Sequence, residues 1–223
     1  MWRVIVLTVC LGLFACSESP PASFHSTDIS GAEFGSSLAA FKNHRGQATR
    51  MADFQGKIVV VFFGYTACPD VCPTTLARFA AVMKQLGTDA ERVQIVMVTV
   101  DPEHDTPEKL AAYMSAFNST FLGLYGDLSA TAAAAQAFKV FYSSRPASAM
   151  DEPMHEHTHE QGHEQAHEHA HESADQQTAS VALIDHSAGS YVFDPVGRIR
   201  LYVKDDASID AIASDLKRLL AGA

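Results

Sequence analysis

Two cysteines, Cys68 and Cys72, stand four positions apart in the segment FFGYTACPDVCPTTL, which covers residues 62–76. Thiols at this spacing could form a structural disulfide, act as a redox couple, or bind a soft metal ion such as copper. The spacing is one residue longer than the common C-x-x-C redox motif. Two prolines stiffen this loop, Pro69 directly after Cys68 and Pro73 directly after Cys72. The spacing alone does not choose between the redox couple and the metal site.

A second group of chemically active residues is a set of seven histidines within residues 155–171. They belong to the tandem array HEHT-HEQG-HEQA-HEHA-HESA, which contains the zinc-protease signature H-E-x-x-H four times. Any array of H-E-x-x generates that signature at each junction. This array also has no apolar face for a buried catalytic helix, so we do not predict a metalloprotease.

Two interpretations of the His-rich array stay open. Charge-rich sequence without aromatic residues cannot bury enough surface to fold, which favours a disordered insertion over residues 146–178. Neutral imidazoles are also metal donors, which favours an auxiliary store of labile copper, zinc or nickel ions. The ligands of such a store would be His155, His157, His159, His163, His167, His169 and His171.

The cysteine pair lies between a predicted strand and a predicted helix. Residues 58–63 form a continuous apolar, β-branched run that is typical of a buried parallel strand. Pro73 suits the first position of a helix whose apolar residues recur at helical spacing through residues 76–86. Cys72 would then lie near the N-cap and Cys68 on the loop before it. The unpaired N–H groups and the dipole at that end favour thiolates, so we expect both sulfurs to be reactive.

Strands and helices continue to alternate beyond the cysteine pair. The pattern predicts a second buried strand, two more helices, a hairpin with a turn at Asp194-Pro195-Val196-Gly197, and a final amphipathic helix. The corresponding residues are 93–100, 106–117, 129–140, 191–203 and 209–220. This order predicts an α/β protein with a thioredoxin-like fold, in which helices flank a mixed central sheet.

Three blocks of the sequence resemble the motif blocks of the Sco (SenC) copper chaperones. The blocks are GYTACPDVCPTTL, VTVDPEHDTPEKL and DHSAGSYVFDPVGRI. They occur in the family's order and spacing, and the resemblance runs from about Asp28 to Leu220 apart from the His-rich array. It implies a protein that helps to metallate the binuclear copper centre of cytochrome c oxidase.

The resemblance also implies the ligands of one copper ion, which are Cys68, Cys72 and His186. Without the resemblance, a single histidine such as His186 would be interpreted as an ordinary surface or core residue. Asp185 could orient its imidazole or could be a turn residue. Asp101, in the second block, could contact the metal site or could only cap its own loop.

The implied partners are the copper-site subunit of cytochrome c oxidase and other copper-transfer proteins. The chain would donate copper, reduce the acceptor's cysteines, or do both, so the sequence does not decide whether it is an enzyme. A thiol-disulfide oxidoreductase with incidental copper binding is the alternative, and a metal-buffering lipoprotein is a third possibility. Metal binding by the cysteines requires the reduced pair in each case.

The charge of the chain argues against nucleic acid as a partner. The formal net charge is −10. Most of that charge belongs to residues 151–175, which contain no Lys or Arg. The acidic residues of this segment are Asp151, Glu152, Glu156, Glu160, Glu164, Glu168, Glu172 and Asp175.

The beginning of the sequence predicts export. Residues 1–15 contain an apolar run that is too short to span a membrane and is typical of a signal peptide. The run ends at Leu13-Phe14-Ala15-Cys16, which resembles a bacterial lipobox and predicts lipidation of Cys16. Residues 16–27 would tether a domain over residues 28–223. A short uncleaved anchor and an ordinary cleavage site are the alternatives to lipidation. In each case we expect an exported, periplasm-facing protein of the bacterial cell envelope, and lipidation of Cys16 would anchor it in the membrane.

Overall fold

The centre of the fold is a pair of parallel strands, β4 (Ile58–Gly64) and β5 (Val93–Thr99). They pair in register from Ile58 with Val93 to Gly64 with Thr99. Every residue of β4 is buried, as the continuous apolar run predicts for a strand that is covered on both faces. The computed structural model describes residues 23–32, 38, 40–145, 183–186 and 189–222.

Within these residues, eight strands form one mixed sheet in the order β1-β10-β9-β4-β5-β6-β2-β3. Strands β4, β5 and β6 are parallel, and β9 and β10 complete one side as an antiparallel pair. The remaining strands of this sheet are β1 (Thr27–Asp28), β2 (Phe41–Asn43), β3 (Ala48–Thr49), β6 (Leu122–Tyr125), β9 (Ser190–Phe193) and β10 (Ile199–Val203).

Four helices pack on the sheet, and three of them begin with the side-chain cap that their sequences favour. The helices are α1 (Val71–Leu86), α2 (Pro107–Phe117), α3 (Leu128–Phe138) and α4 (Ile209–Leu220). Thr106, Asp127 and Ser208 each accept a hydrogen bond from a backbone N–H in the first turn of α2, α3 and α4. The helix predicted over residues 106–117 is therefore confirmed, with Thr106 as its cap and Pro107 as its first residue.

Each face of the sheet has its own apolar core. Val60 and Phe62 face one core with α1, α2 and α4, while Val61 and Phe63 face the other with α3. Phe63 and Phe138 meet edge to face, with ring centroids 5.2 Å apart. Because successive residues of β4 point to opposite cores, the strand that leads to the cysteines is held from both sides.

The structure corrects the predicted start of helix α1. Pro73 was expected at the first helical position, but the helix begins at Val71 and Pro73 is its third residue. A proline is tolerated there because the first four N–H groups of a helix have no acceptor within the helix. Cys72 therefore belongs to the helix itself and does not precede it.

A separate two-stranded sheet lies next to the His-rich insertion in the chain. It consists of β7 (Tyr142–Arg145) and β8 (Leu183–His186), with Arg145 opposite Leu183 and Tyr142 opposite His186. The seven array histidines, the predicted signal peptide and Cys16 lie outside the described residues. In the described part of the chain, no helix has the length and apolar character that crossing a membrane requires.

The residues assigned to the tether include some that pack on the domain. Thr27 belongs to β1, which pairs with β10. The buried carboxylate of Asp215 accepts hydrogen bonds from the backbone N–H groups of His25 and Ser26, at 2.8 and 2.7 Å. The folded part of the chain therefore includes residues before position 28.

Candidate metal centre

The two cysteines meet where β4 leaves the sheet and α1 begins. Cys68 is half-buried on the loop, and Cys72, the second residue of α1, is 1% exposed. The backbone N–H of Cys72 donates to the Cys68 sulfur at 3.4 Å, and the backbone N–H of Cys68 donates to the Tyr65 carbonyl at 3.2 Å. The loop thus turns back so that the Cys68 sulfur lies at the start of the helix.

The two sulfurs differ in chemical environment. The pKa of the Cys72 thiol is raised, first by its hydrogen bond to the Cys68 sulfur and then by burial, while the backbone N–H of Tyr65 lowers it. We expected both sulfurs to be reactive because of the helix N-terminus. In the structure a helix N–H points at Cys68, so the favourable helix field acts on Cys68 while burial opposes ionisation of Cys72.

Gly64, the last residue of β4, is required for the position of the Cys72 sulfur. A Cβ atom at Gly64 would lie 2.7 Å from the Cys72 Sγ atom. The backbone of β4 therefore forms the wall against which this sulfur packs. The sequence does not indicate this role of Gly64, because the contact depends on the helix that follows.

His186 is the last residue of β8, and its backbone pairs with Tyr142. Four residues later β9 begins at Ser190, which pairs with Phe62 near the end of β4. Because β9 runs antiparallel to β4, it begins at the edge of the sheet where the cysteine loop leaves β4. Cys68 and Cys72 thus lie at the edge of the sheet where β9 begins, and His186 precedes the start of β9 by four residues.

Asp105 is a residue of this edge that sequence reasoning missed. It is 2% exposed, and its carboxylate accepts hydrogen bonds from Thr66 on the cysteine loop and from Thr99 at the end of β5. Burial raises the pKa of Asp105, whereas these hydrogen bonds lower it. The second motif block contains Asp105, but nothing in the sequence shows that its side chain turns inward.

Asp101 caps its own loop, which is the simpler of the two roles considered for it. Its Oδ1 atom lies 2.7 Å from the Nδ1 atom of His104, and its carbonyl accepts the backbone N–H groups of His104 and Asp105. The hydrogen bond to Asp101 raises the pKa of His104, whose side chain is 70% exposed. This pair lies on the surface.

The donor set at the edge suits a soft metal ion. Two cysteine sulfurs at one helix N-terminus, with a histidine on a neighbouring segment, are the ligand types that copper and zinc prefer. Outside the His-rich array and the other segments that are not described, no cluster of three or more His, Cys, Asp or Glu side chains is placed to hold a metal ion.

Solved structures with a similar fold define the class of this protein. ScoI of Bradyrhizobium japonicum, solved with copper bound, is 28% identical; the similarity covers 84% of this chain and 99% of that chain, with a TM-score of 0.64. Apo Sco1 of Thermus thermophilus is 31% identical, with 88% and 97% covered and a TM-score of 0.63. Together with the mixed sheet flanked by helices, these similarities confirm the thioredoxin-like fold.

The sequence comparisons define the family. The SCO1/SenC family profile matches residues 31–161, which is more than half of the chain. The mitochondrial SCO2 homologue of Homo sapiens is 32% identical over 181 residues. That match covers 80% of this chain and 57% of the human protein, so the chain spans less than two thirds of that relative's length. The chain belongs to the SCO1/SenC family, and the resemblance seen in the three motif blocks is confirmed.

Proposed function

We propose that this protein is a copper chaperone that takes one copper ion at Cys68, Cys72 and His186. The observation that carries the proposal is the hydrogen bond from the Cys72 N–H to the Cys68 sulfur at 3.4 Å, because it brings two sulfur donors to one helix N-terminus. The copper-bound Bradyrhizobium relative supports the choice of metal. The acceptor in this proposal is the binuclear copper site of cytochrome c oxidase, together with other copper-transfer proteins.

The chemistry of the donors supports copper as cargo. Thiolates are soft ligands that suit cuprous copper, and imidazole suits either common oxidation state. Oxidation of Cys68 and Cys72 to a disulfide would remove two electrons and two protons and would leave no thiolate ligand. Copper loading should therefore require the reduced pair, and loading should release protons from the thiols.

The test is a copper titration of the reduced full-length protein, with a chelator in competition and with the seven array histidines replaced by Gln. We expect one tight equivalent, with affinity at least about tenfold weaker after His186→Ala and strong binding lost after Cys68→Ser or Cys72→Ser. His25→Ala is the matched control, since His25 is exposed and lies two residues before β1. Failure of the array-substituted protein to bind stoichiometric copper would overturn the proposal.

A second candidate activity is reduction of the acceptor's cysteines, and the unequal exposure of the two sulfurs favours it. Cys68 is half-buried and Cys72 is buried, as expected of an attacking and a resolving thiol. The Cys68 thiolate would attack the acceptor disulfide and release one acceptor thiolate. Cys72 would then attack the mixed disulfide, so two electrons pass to the acceptor and a Cys68–Cys72 disulfide remains. This activity should survive His186→Ala, whereas copper binding should weaken.

We also propose that the His-rich array recruits metal for the cysteine site. The pairing of Arg145 with Leu183 supports this, since it joins the two ends of the insertion next to the strand that ends at His186. Replacing the seven histidines with Gln should remove weak additional metal equivalents and slow copper uptake from dilute solution, with the tight equivalent unchanged. Equal uptake rates with and without the substitutions would contradict metal recruitment and would indicate that the insertion is only a spacer.

We further propose that residues 1–15 are a signal peptide and that Cys16 is the lipid attachment site of an envelope protein. The support is the short apolar run ending at Leu13-Phe14-Ala15-Cys16. In a bacterial host, the native protein should partition into detergent and label with fatty acid, and Cys16→Ser should abolish the label. Retention of the label by Cys16→Ser would contradict the assignment.

A further inference from the structure

The feature that carries a further inference is the buried carboxylate of Asp105, which lies on the loop between β5 and α2. Its oxygens accept the backbone N–H of Thr66 at 3.1 and 3.2 Å and the hydroxyl of Thr66 at 2.5 Å. They also accept the hydroxyl of Thr99 at 2.5 Å. Asp105 therefore joins the cysteine loop to the end of the neighbouring strand.

Asp105 differs from most buried carboxylates in how its charge is compensated. Among the described residues, no Lys, Arg or His forms a salt bridge with Asp105. Removing a charge from water without an opposite charge is costly, and within the described part of the chain hydrogen bonds compensate for it. Because those bonds come from Thr66 and Thr99, the stabilising contacts of Asp105 are made with the cysteine loop and the strand end beside it.

The contacts lead directly to the sulfur of Cys68. Thr66 lies two residues before Cys68, within the turn that the Cys68 N–H closes on the Tyr65 carbonyl. Thr99, the other partner, also accepts the backbone N–H of Asp101 at 3.0 Å, so the strand end is itself fixed. The carboxylate thus fixes the start of a short turn whose far end places the Cys68 sulfur against the first turn of α1.

We propose that Asp105 is a positioning residue for the cysteine pair, which sets the position of the Cys68 sulfur relative to Cys72 through Thr66. Its oxygens are occupied by Thr66 and Thr99, so it acts through the loop and does not bind the metal. The inference rests on the proposed function at one point, which is that the cysteine pair is the functional site. It deepens that proposal by naming what keeps the two sulfurs together.

The test measures the equilibrium between the Cys68–Cys72 dithiol and its disulfide in glutathione buffers, because this constant reports how closely the two sulfurs are held. Thr66→Val removes one hydroxyl and no charge. We expect it to weaken disulfide formation about tenfold, which for a two-electron couple is about 30 mV towards a less negative potential. Thr66→Ser, which keeps both donors, should stay within about twofold of the parent protein.

Asp105→Asn should shift the same equilibrium in the same direction, because it loosens the loop and also removes a negative charge that opposes the reduced thiolates. The double variant Thr66→Val, Asp105→Asn should shift the dithiol–disulfide equilibrium no further than Asp105→Asn alone, since both substitutions remove the same contact. If Asp105→Asn does not fold, the comparison of Thr66→Val with Thr66→Ser decides the question.

Asp194→Asn is the matched control, since Asp194 is 3% exposed and holds a turn at the opposite edge of the sheet. It should lower stability and leave the thiol equilibrium unchanged. The inference is overturned if Thr66→Val leaves the equilibrium unchanged, or if Asp194→Asn shifts it as much as Asp105→Asn does. Copper titration of the parent protein is run in parallel. Absence of copper binding there would overturn the proposed function, while the thiol equilibrium would still test Asp105.

Discussion

The α-carbon of Gly64 lies directly against the sulfur of Cys72, so that a methyl group added at Gly64 would lie 2.7 Å from the Cys72 Sγ atom. That separation is shorter than any ordinary carbon–sulfur contact, and β4 is buried on both faces. The sulfur, and not the strand, must therefore move if a side chain is introduced. Gly64, the last residue of β4, and Cys72, the second residue of α1, therefore pack so closely that a larger side chain at Gly64 must displace the Cys72 sulfur.

Gly64→Ala is accordingly expected to destabilise the protein by about 1–3 kcal/mol, the usual cost of overpacking a core. It should also displace the Cys72 sulfur and weaken copper binding. Urea unfolding and copper competition measure the two effects.

Gly123→Ala is the control for this substitution. Its Cβ atom would meet the side chains of Leu110 at 3.1 Å and Met114 at 3.3 Å, away from the cysteines. The control should lower stability without changing copper affinity. If both variants alter copper affinity equally, the effect of Gly64→Ala is a general loss of packing and not a displacement of the sulfur.

The two thiols should react at different rates. Cys72 is 1% exposed with a raised pKa, whereas Cys68 is half-buried and accepts a helix N–H group. Since the thiolate is the nucleophile, iodoacetamide should modify Cys68 of the reduced protein at least about tenfold faster than Cys72. Peptide mapping by mass spectrometry after a short exposure gives the ratio. Equal labelling in the folded protein would contradict the assignment of Cys68 as the attacking thiol.

Gly189 lies three residues after His186 and directly before β9. Its φ angle is 148°, and a Cβ atom there would overlap the ring and hydroxyl of Tyr202. Gly189→Ala should therefore cost about 1–3 kcal/mol in the free energy of unfolding and shift the loop, which would also weaken copper binding.

Tyr202→Leu provides the comparison for Gly189→Ala, because it removes the ring that the new methyl group would meet. The penalty of Gly189→Ala should be smaller in the Tyr202→Leu background. An identical penalty in both backgrounds would attribute the whole effect to backbone strain at Gly189 and none to the contact with Tyr202.

Within the described residues, one buried hydroxyl near the cysteines lacks a hydrogen-bond partner. The Tyr113 hydroxyl has none in the described part of the chain, and burial, followed by the charges of Cys72, Cys68 and Asp105, raises its pKa. Tyr113→Phe should leave stability unchanged or raise it by about 1 kcal/mol, since an unsatisfied polar group is removed.

Tyr191→Phe is the matched control for Tyr113→Phe. The Tyr191 hydroxyl donates to the Phe138 carbonyl at 2.6 Å, so its removal should cost about 1 kcal/mol. Thermal unfolding measures both variants. If Tyr113→Phe destabilises as much as Tyr191→Phe, the Tyr113 hydroxyl has a partner after all, with ordered water the obvious one.

The features that the sequence predicted correctly are those that depend only on contiguous residues. The apolar run of β4, the Thr106 cap of α2 and the turn at Asp194-Pro195-Val196-Gly197 each depend on neighbours in the chain, and the structure has all three. A side chain's burial depends on segments that are remote in sequence. Asp105 lies 39 residues from Thr66, and only the fold shows that the two meet.

The cysteine motif itself illustrates the same limit. Residue types and spacing predicted a reactive pair at a strand–helix junction, and the family resemblance predicted its ligand set. The difference between an accessible Cys68 and a buried Cys72 follows from the helix starting at Val71, two residues earlier than Pro73 suggested. Helix boundaries are the least certain part of a sequence-based prediction because the first turn has few hydrogen bonds of its own.

The buried carboxylate of Asp194 predicts how stability depends on pH. Burial by itself would raise its pKa, but hydrogen bonds and charge from Arg198 outweigh burial and hold the pKa of Asp194 below its ordinary value of 3.8. The folded protein therefore binds fewer protons at Asp194 than the unfolded chain does just below pH 3.8. The stability that Asp194 contributes is present above pH 3.8 and is lost as the pH falls through the folded-state pKa.

Asp194→Asn should lower the free energy of unfolding at pH 7 by about 1–3 kcal/mol, because it breaks charge-assisted hydrogen bonds at 2.8 and 2.9 Å to Arg198. The difference from the parent protein should stay constant between pH 7 and about 5 and shrink below pH 3.8. Urea unfolding across this range measures it. Tyr191→Phe serves as the control, since burial raises the pKa of Tyr191 and its hydroxyl stays neutral across this range, so its effect on stability should show no such trend. A difference at Asp194 that persists unchanged at the lowest pH would mean that packing, and not the charge of this carboxylate, stabilises the turn.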